Sequence, residues 1–496
     1  MKVLFAASEA APFFKSGGLG DVAGSLPAAL GALGADVRVV LPLYQQVAPE
    51  HRAQMRLVGS FTVPLAWRQQ YCGCYELKQG PVTYYFLDNE QYFKRPAAYG
   101  QFDDGERFAF FARAVLELPT FLDWWPDVLH ANDWHTGLAP VYLRLLYADR
   151  PEYQRIKTVF TIHNIQYQGR YGSELLGDVF GLDHASAFGV LEWAGSLNLV
   201  KGAVVTADRV TTVSPTYAGE IQTPQYSHGL DGILRQNAGK LSGILNGIDV
   251  TSYNPADDLA LFANYTAADV AIGKASNKAE LQRMLGLTED PAIPLLAVVS
   301  RLVDHKGMDL IARELDELLG ENLQFVVLGT GDWRYEQLFL GMQQKFGWKM
   351  SAHITFSEDL ARKIYAGSDL FLMPSQSEAC GLSQLIALRY GSLPIVRETG
   401  GLKDTIGSVD DASTRGNGFT FGPYNSRDML FTIRRALGFF HEGGEKWQNL
   451  VARAMACDYS WNASARKYMK IYQELAPKRT EGTTKKHDEA QRTPSP

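Results

Sequence analysis

Basic and glycine residues at the first strand-to-helix junction form a candidate phosphate-binding turn. Residues 2–9 (KVLFAASE) are a short apolar, strand-like run, K-S-G-G-L-G-D-V occupies 15–22, and helical spacing follows over 21–33. Glycines let backbone N–H groups approach a ligand, the helix offers its positive N-terminus, and Lys15 adds a cation. The G-G-x-G spacing differs from the G-x-G-x-x-G of dinucleotide-binding turns. We therefore predict a site for a phosphorylated ligand, the alternative being a tight turn that binds nothing.

Two cations and a carboxylate follow strand-like runs in the second half of the chain. Arg301 and Lys306 lie in one strand-to-helix loop, where two positive charges would suit a diphosphate leaving group. Glu378 precedes a helix opened by glycine, so its carboxylate could accept hydrogen bonds from sugar hydroxyls while the amides of residues 381–383 hold phosphate oxygens. The alternatives are solvated surface cations and a glutamate that only complements the helix dipole.

Polar residues also end two strand-like runs of the first half. Asp133 follows one run, and His163 and Asn164 end the next. Because ligands on parallel sheets bind at the carboxyl ends of the strands, these side chains should face the same cleft as Gly18. A third glycine-opened turn, T-G-G-L-K-D, occupies residues 399–404.

The elements that would position these residues alternate between strands and helices in both halves. Such alternation predicts parallel sheets with helices on both faces, and two α/β domains fit the length better than one very wide sheet. Predicted strands cover residues 3–7, 37–42, 82–87, 128–131, 158–162, 210–213, 295–300, 325–328, 353–356, 370–373 and 393–396. Predicted helices cover 106–122, 136–147, 308–319, 333–346, 359–366, 382–390 and 461–475.

Composition narrows the class of protein. The chain has 496 residues, 46% of them hydrophobic and 21% charged, with a formal net charge of -6. This balance favours neither nucleic-acid nor anionic-membrane partners, and we find no signal peptide and no apolar run long enough to span a membrane. A cytoplasmic location is therefore expected, with four reduced cysteines. Turn residues at 246–249 and 254–257 predict a domain boundary. Residues 477–496 are predicted to be a disordered tail, because they lack apolar residues apart from alanine and proline.

The ordered motifs resemble those of bacterial glycogen synthase and plant starch synthase, the ADP-glucose-type glucan synthases. The resemblance runs from residue 1 to about residue 475, and so covers almost the whole chain. The matching segments are K-x-G-G-L-G-D-V at 15–22, D-W-H at 133–135, H-N at 163–164, L-N-G-I-D at 245–249, S-R-L-x-x-x-K-G at 300–307, A-L-R-Y-G at 387–391, T-G-G-L-K-D-T at 399–405 and Y-S-W at 459–461.

This resemblance implies an α/β GT-B fold, in which two Rossmann-like domains with parallel sheets face an interdomain cleft. It implies an N-terminal, acceptor-side domain over 1–250, a nucleotide-sugar-binding domain over 251–459, and a last helix over 460–476 that packs back on the first domain. The family needs no metal and no cofactor, since ADP-glucose is a co-substrate and glycogen or another α-1,4-glucan is the acceptor.

The resemblance also implies roles for individual residues. Arg301 and Lys306 would bind the diphosphate, and Glu378 would hold glucose hydroxyls. The implied catalytic residues are His163, Glu378, Lys306, Arg301 and Asp133. The implied substrate-binding residues are Lys15, Gly17, Gly18, Asp21, Tyr99, Asn164, Asn246, Cys380, Gly381, Leu382, Ser383, Thr399, Gly400 and Gly401.

One segment departs from the family pattern. The family usually has R-F-E-P-C-G-L where this chain has Q-S-E-A-C-G-L at 376–382, so the arginine, phenylalanine and proline are replaced. Loss of the proline should free the backbone before the glycine turn. The groups that would touch ligand are kept, so we expect activity with altered donor affinity.

The expected reaction is transfer of glucose from ADP-glucose to the non-reducing end of an α-1,4-glucan, with retention at C1. Alternatives within glycosyl transfer are a UDP-glucose-dependent or small-acceptor enzyme on the same fold. A hypothesis from a different functional class is a non-catalytic glucan-binding protein, which the altered segment at 376–379 makes conceivable. A dehydrogenase is a weaker reading still, because the first glycine turn lacks the required spacing.

Overall fold

The computed structural model describes residues 1–476, and its first half is built on a nine-stranded sheet. The strand order is β12-β11-β7-β6-β1-β2-β5-β4-β3, with parallel pairing from β12 to β5 and, at one edge, antiparallel pairing of β4 with both β5 and β3. A small antiparallel sheet, β8-β10-β9, lies beside it. The strands are β1 (Lys2–Ala6), β2 (Asp36–Pro42), β3 (Arg56–Leu65), β4 (Arg68–Gln79), β5 (Val82–Asp88), β6 (Val128–Asn132), β7 (Lys157–Ile162), β8 (Arg170–Tyr171), β9 (Glu192–Trp193), β10 (Ser196–Asn198), β11 (Arg209–Thr212) and β12 (Leu241–Gly243).

Helices connect and cover these strands. The fourth helix is the longest of them and buries a run of aromatic and aliphatic residues against the sheet. The helices are α1 (Gly18–Ala32), α2 (Pro49–Arg52), α3 (Glu90–Phe93), α4 (Asp104–Leu122), α5 (Leu138–Leu146), α6 (Leu175–Asp178), α7 (His184–Leu191), α8 (Leu199–Thr206), α9 (Pro215–Glu220) and α10 (Asp231–Gln236).

A six-stranded, wholly parallel sheet forms the second half, in the order β15-β14-β13-β16-β17-β18. Its central strands are almost continuously apolar because both faces are covered by helices. The helices are α11 (Val270–Met284), α12 (Met308–Gly320), α13 (Trp333–Phe346), α14 (Glu358–Gly367), α15 (Ser383–Arg389), α16 (Gly400–Thr405), α17 (Ser426–Glu442) and α18 (Gly444–Met455). The strands are β13 (Leu295–Val299), β14 (Gln324–Leu328), β15 (Met350–His353), β16 (Leu370–Met373), β17 (Leu393–Arg397) and β18 (Phe419–Phe421).

The last helix, α19 (Trp461–Leu475), belongs to the first hydrophobic core although it ends the described chain. Its Tyr472 hydroxyl lies 2.7 Å from Nδ1 of His130 on β6. Where the chain returns, Ile248 N donates to Tyr459 O at 2.9 Å. Gly247 makes this crossing possible, because a Cβ there would lie 2.6 Å from the backbone nitrogen of Trp461.

The predicted fold class is confirmed, while individual elements differ in detail. The strand expected at 353–356 is wrong, because the residues that pair with β14 are Met350–His353 and Phe356 lies exposed beyond the strand. The hairpin β3–β4 was not predicted. The domain limits 1–250 and 251–459 stay a prediction, and the tail predicted over 477–496 lies outside the described residues. Within residues 1–476, no helix is both long and apolar enough to cross a membrane.

Candidate active site

A cavity of about 300 Å³ opens between the two sheets. Both halves of the chain supply its walls, since it lies beside the N-terminal end of α1 and beyond the carboxyl ends of β13 and β14. Five of the predicted site residues line it: Lys15, Asp21, Arg301, Leu382 and Ser383. Residues that the sequence analysis did not single out line it too, among them Tyr253, Thr355, Phe356, Glu358 and Arg362.

Lys15 joins the two halves at this cavity. Its Nζ lies 3.0 Å from Asp21 Oδ1 and 3.4 Å from Glu358 Oε1 of the second half. Burial lowers the pKa of Lys15, but pairing with Asp21 outweighs that effect and leaves the pKa raised. The ammonium therefore stays charged at the wall of the cavity, where an anionic ligand would compete with Glu358 for it.

The helix that follows the glycine turn begins earlier than predicted: α1 starts at Gly18 and not at Asp21. Gly18 is exposed, and a Cβ there would meet no protein atom within 4 Å. At Gly20, by contrast, a Cβ would lie 2.4 Å from Cβ of Lys15. Packing therefore requires glycine at position 20 and leaves position 18 open to a ligand.

Lys306 and Glu378 form an ion pair on the second sheet. Lys306 Nζ lies 2.5 Å from Glu378 Oε2, and Ser375 Oγ donates to the same oxygen at 3.3 Å. Arg301 lies in the same loop as Lys306, with its Nη2 3.4 Å from Nε2 of His305. The predicted phosphate-binding cations and the predicted sugar-binding carboxylate are thus brought together.

Hydrogen bonds fix the backbone of the 376–382 segment, which lacks the proline usual in the family. Gln376 O accepts from Arg397 Nη1 at 2.7 Å, and Ala379 O accepts from Ser214 Oγ of the first half at 2.8 Å. Gly381, with φ +74°, turns the chain into α15. The freer backbone expected from loss of the proline is therefore tied down by neighbouring groups.

At the ends of β6 and β7, Asp133 fixes the backbone of His163. Asp133 has a φ of +56°, which is unusual for a residue other than glycine, and its Oδ1 accepts the His163 N–H at 2.7 Å. Burial raises the pKa of Asp133 to about 7, against the opposing effect of the His163 and Asn164 amides. This carboxyl therefore acts on the shape of the turn that holds His163 and Asn164.

The His163 ring is neutral near pH 7, because burial lowers its pKa to about 3. Its Nε2 lies 3.0 Å from Asn132 Oδ1, while Asn132 Nδ2 donates to the carbonyl of Ala6 at 3.0 Å. The amide oxygen of Asn132 is thus the acceptor and Nε2 carries the proton. A ring held this way is unsuited to proton donation at the reacting centre.

Three other predicted residues lie beneath these loops. The Tyr99 hydroxyl lies 2.9 Å from Ser8 Oγ, and the Tyr99 ring centroid lies 4.6 Å from that of His135. Asn246 is buried, and its Oδ1 has no hydrogen-bond partner among residues 1–476. Burial raises the pKa of the Cys380 thiol to about 12, which keeps it protonated and unreactive.

The turn at Thr399–Gly400 is engaged by a protein carboxylate. Thr399 Oγ1 donates to Glu220 Oε1 at 2.9 Å, and the Gly400 N–H donates to the same oxygen at 3.1 Å. In return, Asp404 accepts from the Thr216 N–H at 2.8 Å. In this arrangement the predicted ligand donors Thr399 and Gly400 bind Glu220, and Gly401 packs against the carbonyl of Cys380, so none of the three lines the cavity.

Sequence reasoning missed the carboxylates that organise these loops. Glu9, Glu220 and Glu358 act on partners 7, 180 and 343 positions away in sequence, and no local pattern marks such contacts. For Glu9 alone a signal existed, since it lies three residues beyond the end of β1, at the edge where ligands bind. Among residues 1–476, no cluster of three or more His, Cys, Asp or Glu side chains is placed to hold a metal ion.

Two facing parallel α/β units, with cations and a carboxylate between them, define a GT-B glycosyltransferase. The family described as starch synthase catalytic domain matches residues 2–236, and the family described as glycosyl transferases group 1 matches residues 280–438. The chain is 52% identical to a glycogen synthase of Geobacillus thermodenitrificans over 96% of this chain and 98% of that protein. It is 51% identical to a glycogen synthase of Clostridium novyi over 96% of this chain and all of that protein.

Solved structures agree with this classification. The catalytic domain of starch synthase IV from Arabidopsis thaliana, bound to ADP and acarbose, superposes with a TM-score of 0.88 at 34% identity, covering 96% of this chain and 99% of that chain. A sucrose-phosphate synthase from Thermosynechococcus elongatus shares the fold, with a TM-score of 0.60 at 16% identity and coverage of 96% and 98%. The chain belongs to the glycogen synthase and starch synthase family.

Substitution at the two neighbouring glycines should separate ligand binding from folding. Gly18→Val should leave the melting temperature within about 2 °C of wild type but lower kcat/KM at least about tenfold, because its side chain occupies only ligand space. Gly20→Val should lower both, because its Cβ collides with Lys15. Thermal melts and initial rates on both variants check this, and equal losses of stability and activity in Gly18→Val would contradict it.

The buried Asp133 carboxyl should give stability a measurable pH dependence. Its folded-state pKa of about 7 lies above the ordinary value of 3.8, so the folded form binds more protons between these values. Wild type should therefore lose stability relative to Asp133→Asn as pH rises from about 5 to about 7, and the difference should level off above that. Melting temperatures of both proteins across about pH 5 to 8.5 measure it, and parallel curves would refute the assignment.

Proposed function

We propose that this protein is a glycogen synthase that transfers glucose from ADP-glucose to the non-reducing end of an α-1,4-glucan, with retention at C1. The observation that carries the proposal is the pairing of Lys306 with Glu378 beside a cavity walled by Lys15 and Arg301. Family membership supports glucan synthesis, and the ADP bound to the similar starch synthase supports the choice of base.

The leaving group of such a transfer is a nucleoside diphosphate, whose oxygens gain negative charge as the glycosidic bond breaks. Arg301 and Lys306 approach it from the second half of the chain, and Lys15 approaches from the first half. Preorganised cations in a closed cleft stabilise such charge more than mobile water does. In our proposal Glu378, released from Lys306 as the diphosphate binds, accepts hydrogen bonds from the glucose hydroxyls.

Retention requires that the acceptor approach the same face that the leaving group departs from. The leaving phosphate then takes the proton of the acceptor hydroxyl as the new bond forms. The His163 carbonyl, whose oxygen accepts no hydrogen bond from residues 1–476, would stabilise positive charge at C1. Asp133 would set the position of that carbonyl through its bond to the same residue's N–H. Closure would exclude water, which would otherwise hydrolyse the donor.

The direct experiment mixes purified protein with glycogen and either ADP-glucose or UDP-glucose. Release of ADP together with longer glucan chains is the expected result, at a rate well above that with UDP-glucose. A faster reaction with UDP-glucose would show that UDP-glucose, and not ADP-glucose, is the donor. Glycogen binding without release of either nucleotide would favour a non-catalytic glucan-binding protein.

Removal of either member of the ion pair should abolish most of the rate. Lys306→Ala and Glu378→Ala should each lower kcat about 10²- to 10³-fold, because each loses a contact to developing charge or to the sugar. Lys345→Ala is the matched control, since Lys345 is an exposed lysine of α13 whose one ion pair among residues 1–476 is with Asp316 of α12. Near-normal turnover in both site variants would refute the site assignment.

A further inference from the structure

Glu9 is a buried carboxylate that carries no assigned role in glucose transfer. Only 2% of its surface is exposed, although it lies directly beneath the exposed residues 16–18. Glu9 lies in the first part of the loop between β1 and α1, and its side chain bonds Ser16 in the last part of the same loop, next to Lys15. A buried charge is retained only where hydrogen bonds compensate for its lost hydration.

Four donors surround this carboxylate. Glu9 Oε2 accepts from the Ser16 N–H at 2.8 Å, from Ser16 Oγ at 2.6 Å and from Tyr99 OH at 3.3 Å. Glu9 Oε1 accepts from the Gly20 N–H at 2.9 Å. The two carboxylate oxygens thus bind the chain on both sides of Gly17–Gly18, at Ser16 and at Gly20.

These bonds decide which helix donors remain for a ligand. The first N–H groups of a helix have no partner within the helix. Glu9 takes the amide of Gly20, the third residue of α1, and also the amide of Ser16, one residue before the N-cap Gly17. Among residues 1–476, no side chain accepts from the amides of Gly18 and Leu19, and a Cβ at Gly18 would meet open space.

We infer that Glu9 is a positioning residue for donor binding, holding Lys15 and the Gly18 and Leu19 amides in the geometry that receives the diphosphate. Close packing transmits this position, because the backbone of Gly20 lies against Cβ of Lys15. Burial raises the pKa of Glu9, while the Ser16 and Gly20 bonds favour the ionised form. The inference rests on the proposed function, since it names how one wall of the same site is built.

Glu9→Gln tests this with little change of volume. Every group around the side chain is a donor, so the new NH₂ group opposes the Ser16 or Gly20 amide and the loop must shift. We expect the Kd for ADP, measured by calorimetry, and the KM for the nucleotide sugar both to rise about tenfold or more. Glu76→Gln is the control. Glu76, on the distant strand β4, accepts from Arg56 and Tyr85, so its substitution should leave both constants unchanged.

A double-mutant cycle with Lys15→Ala separates positioning from a general loss of stability. If Glu9 acts through this loop, Glu9→Gln should cost much less in the Lys15→Ala background than in wild type. All assays are run well below the lowest melting temperature, so that only folded protein is compared. Unchanged ADP affinity in Glu9→Gln, or losses that multiply in the double variant, would overturn the inference.

The two proposals fail in distinguishable ways. Wild-type protein that binds ADP but transfers glucose from neither nucleotide sugar would end the proposed function while the ADP measurements still decide the role of Glu9. If the wild-type protein transfers glucose and Glu9→Gln leaves the Kd for ADP and the KM for the nucleotide sugar unchanged, only the inference about Glu9 is refuted. Wild-type protein that does not bind ADP would overturn both.

Discussion

Parallel pairing brings the carboxyl end of every strand to one edge of its sheet, and here two such edges face each other. The edge of the first sheet carries the loop with Lys15 and the turn at His163. The edge of the second carries Arg301, Lys306 and Glu378. Each half supplies only part of the chemistry that glycosyl transfer needs, so the site exists only while the halves are apposed.

Polar contacts, and not a shared apolar core, hold the halves together at the cleft. The hydrophobic residues of each half form separate clusters. Across the gap, Lys15 meets Glu358, and Glu220 and Asp404 each bind the start of a helix in the opposite half. Because water replaces such bonds at small net cost, separation and closure of the halves differ little in free energy.

The sequence was sufficient for the fold and for the cations of the site, because both rest on local patterns. Apolar runs located most strands to within one or two residues, and the charged residues that follow them identified Arg301, Lys306 and Asp133. The strand at Met350–His353 was misplaced because the residues with high β propensity, Ile354, Thr355 and the exposed Phe356, come directly after it. Glu220, by contrast, acquires its role only through a contact with Gly400, 180 positions away.

The place of α19 in the first core has a consequence for synthesis of the chain on the ribosome. Trp461, Ala465, Tyr468 and Tyr472 complete the apolar cluster whose other members lie within the first 244 residues. Until these late residues emerge, His130 and its neighbours on β6 lack their cover, so the N-terminal half stays unfinished while the whole C-terminal half is made. The second half can close its own core first, which makes the unit that begins the chain the last to be completed.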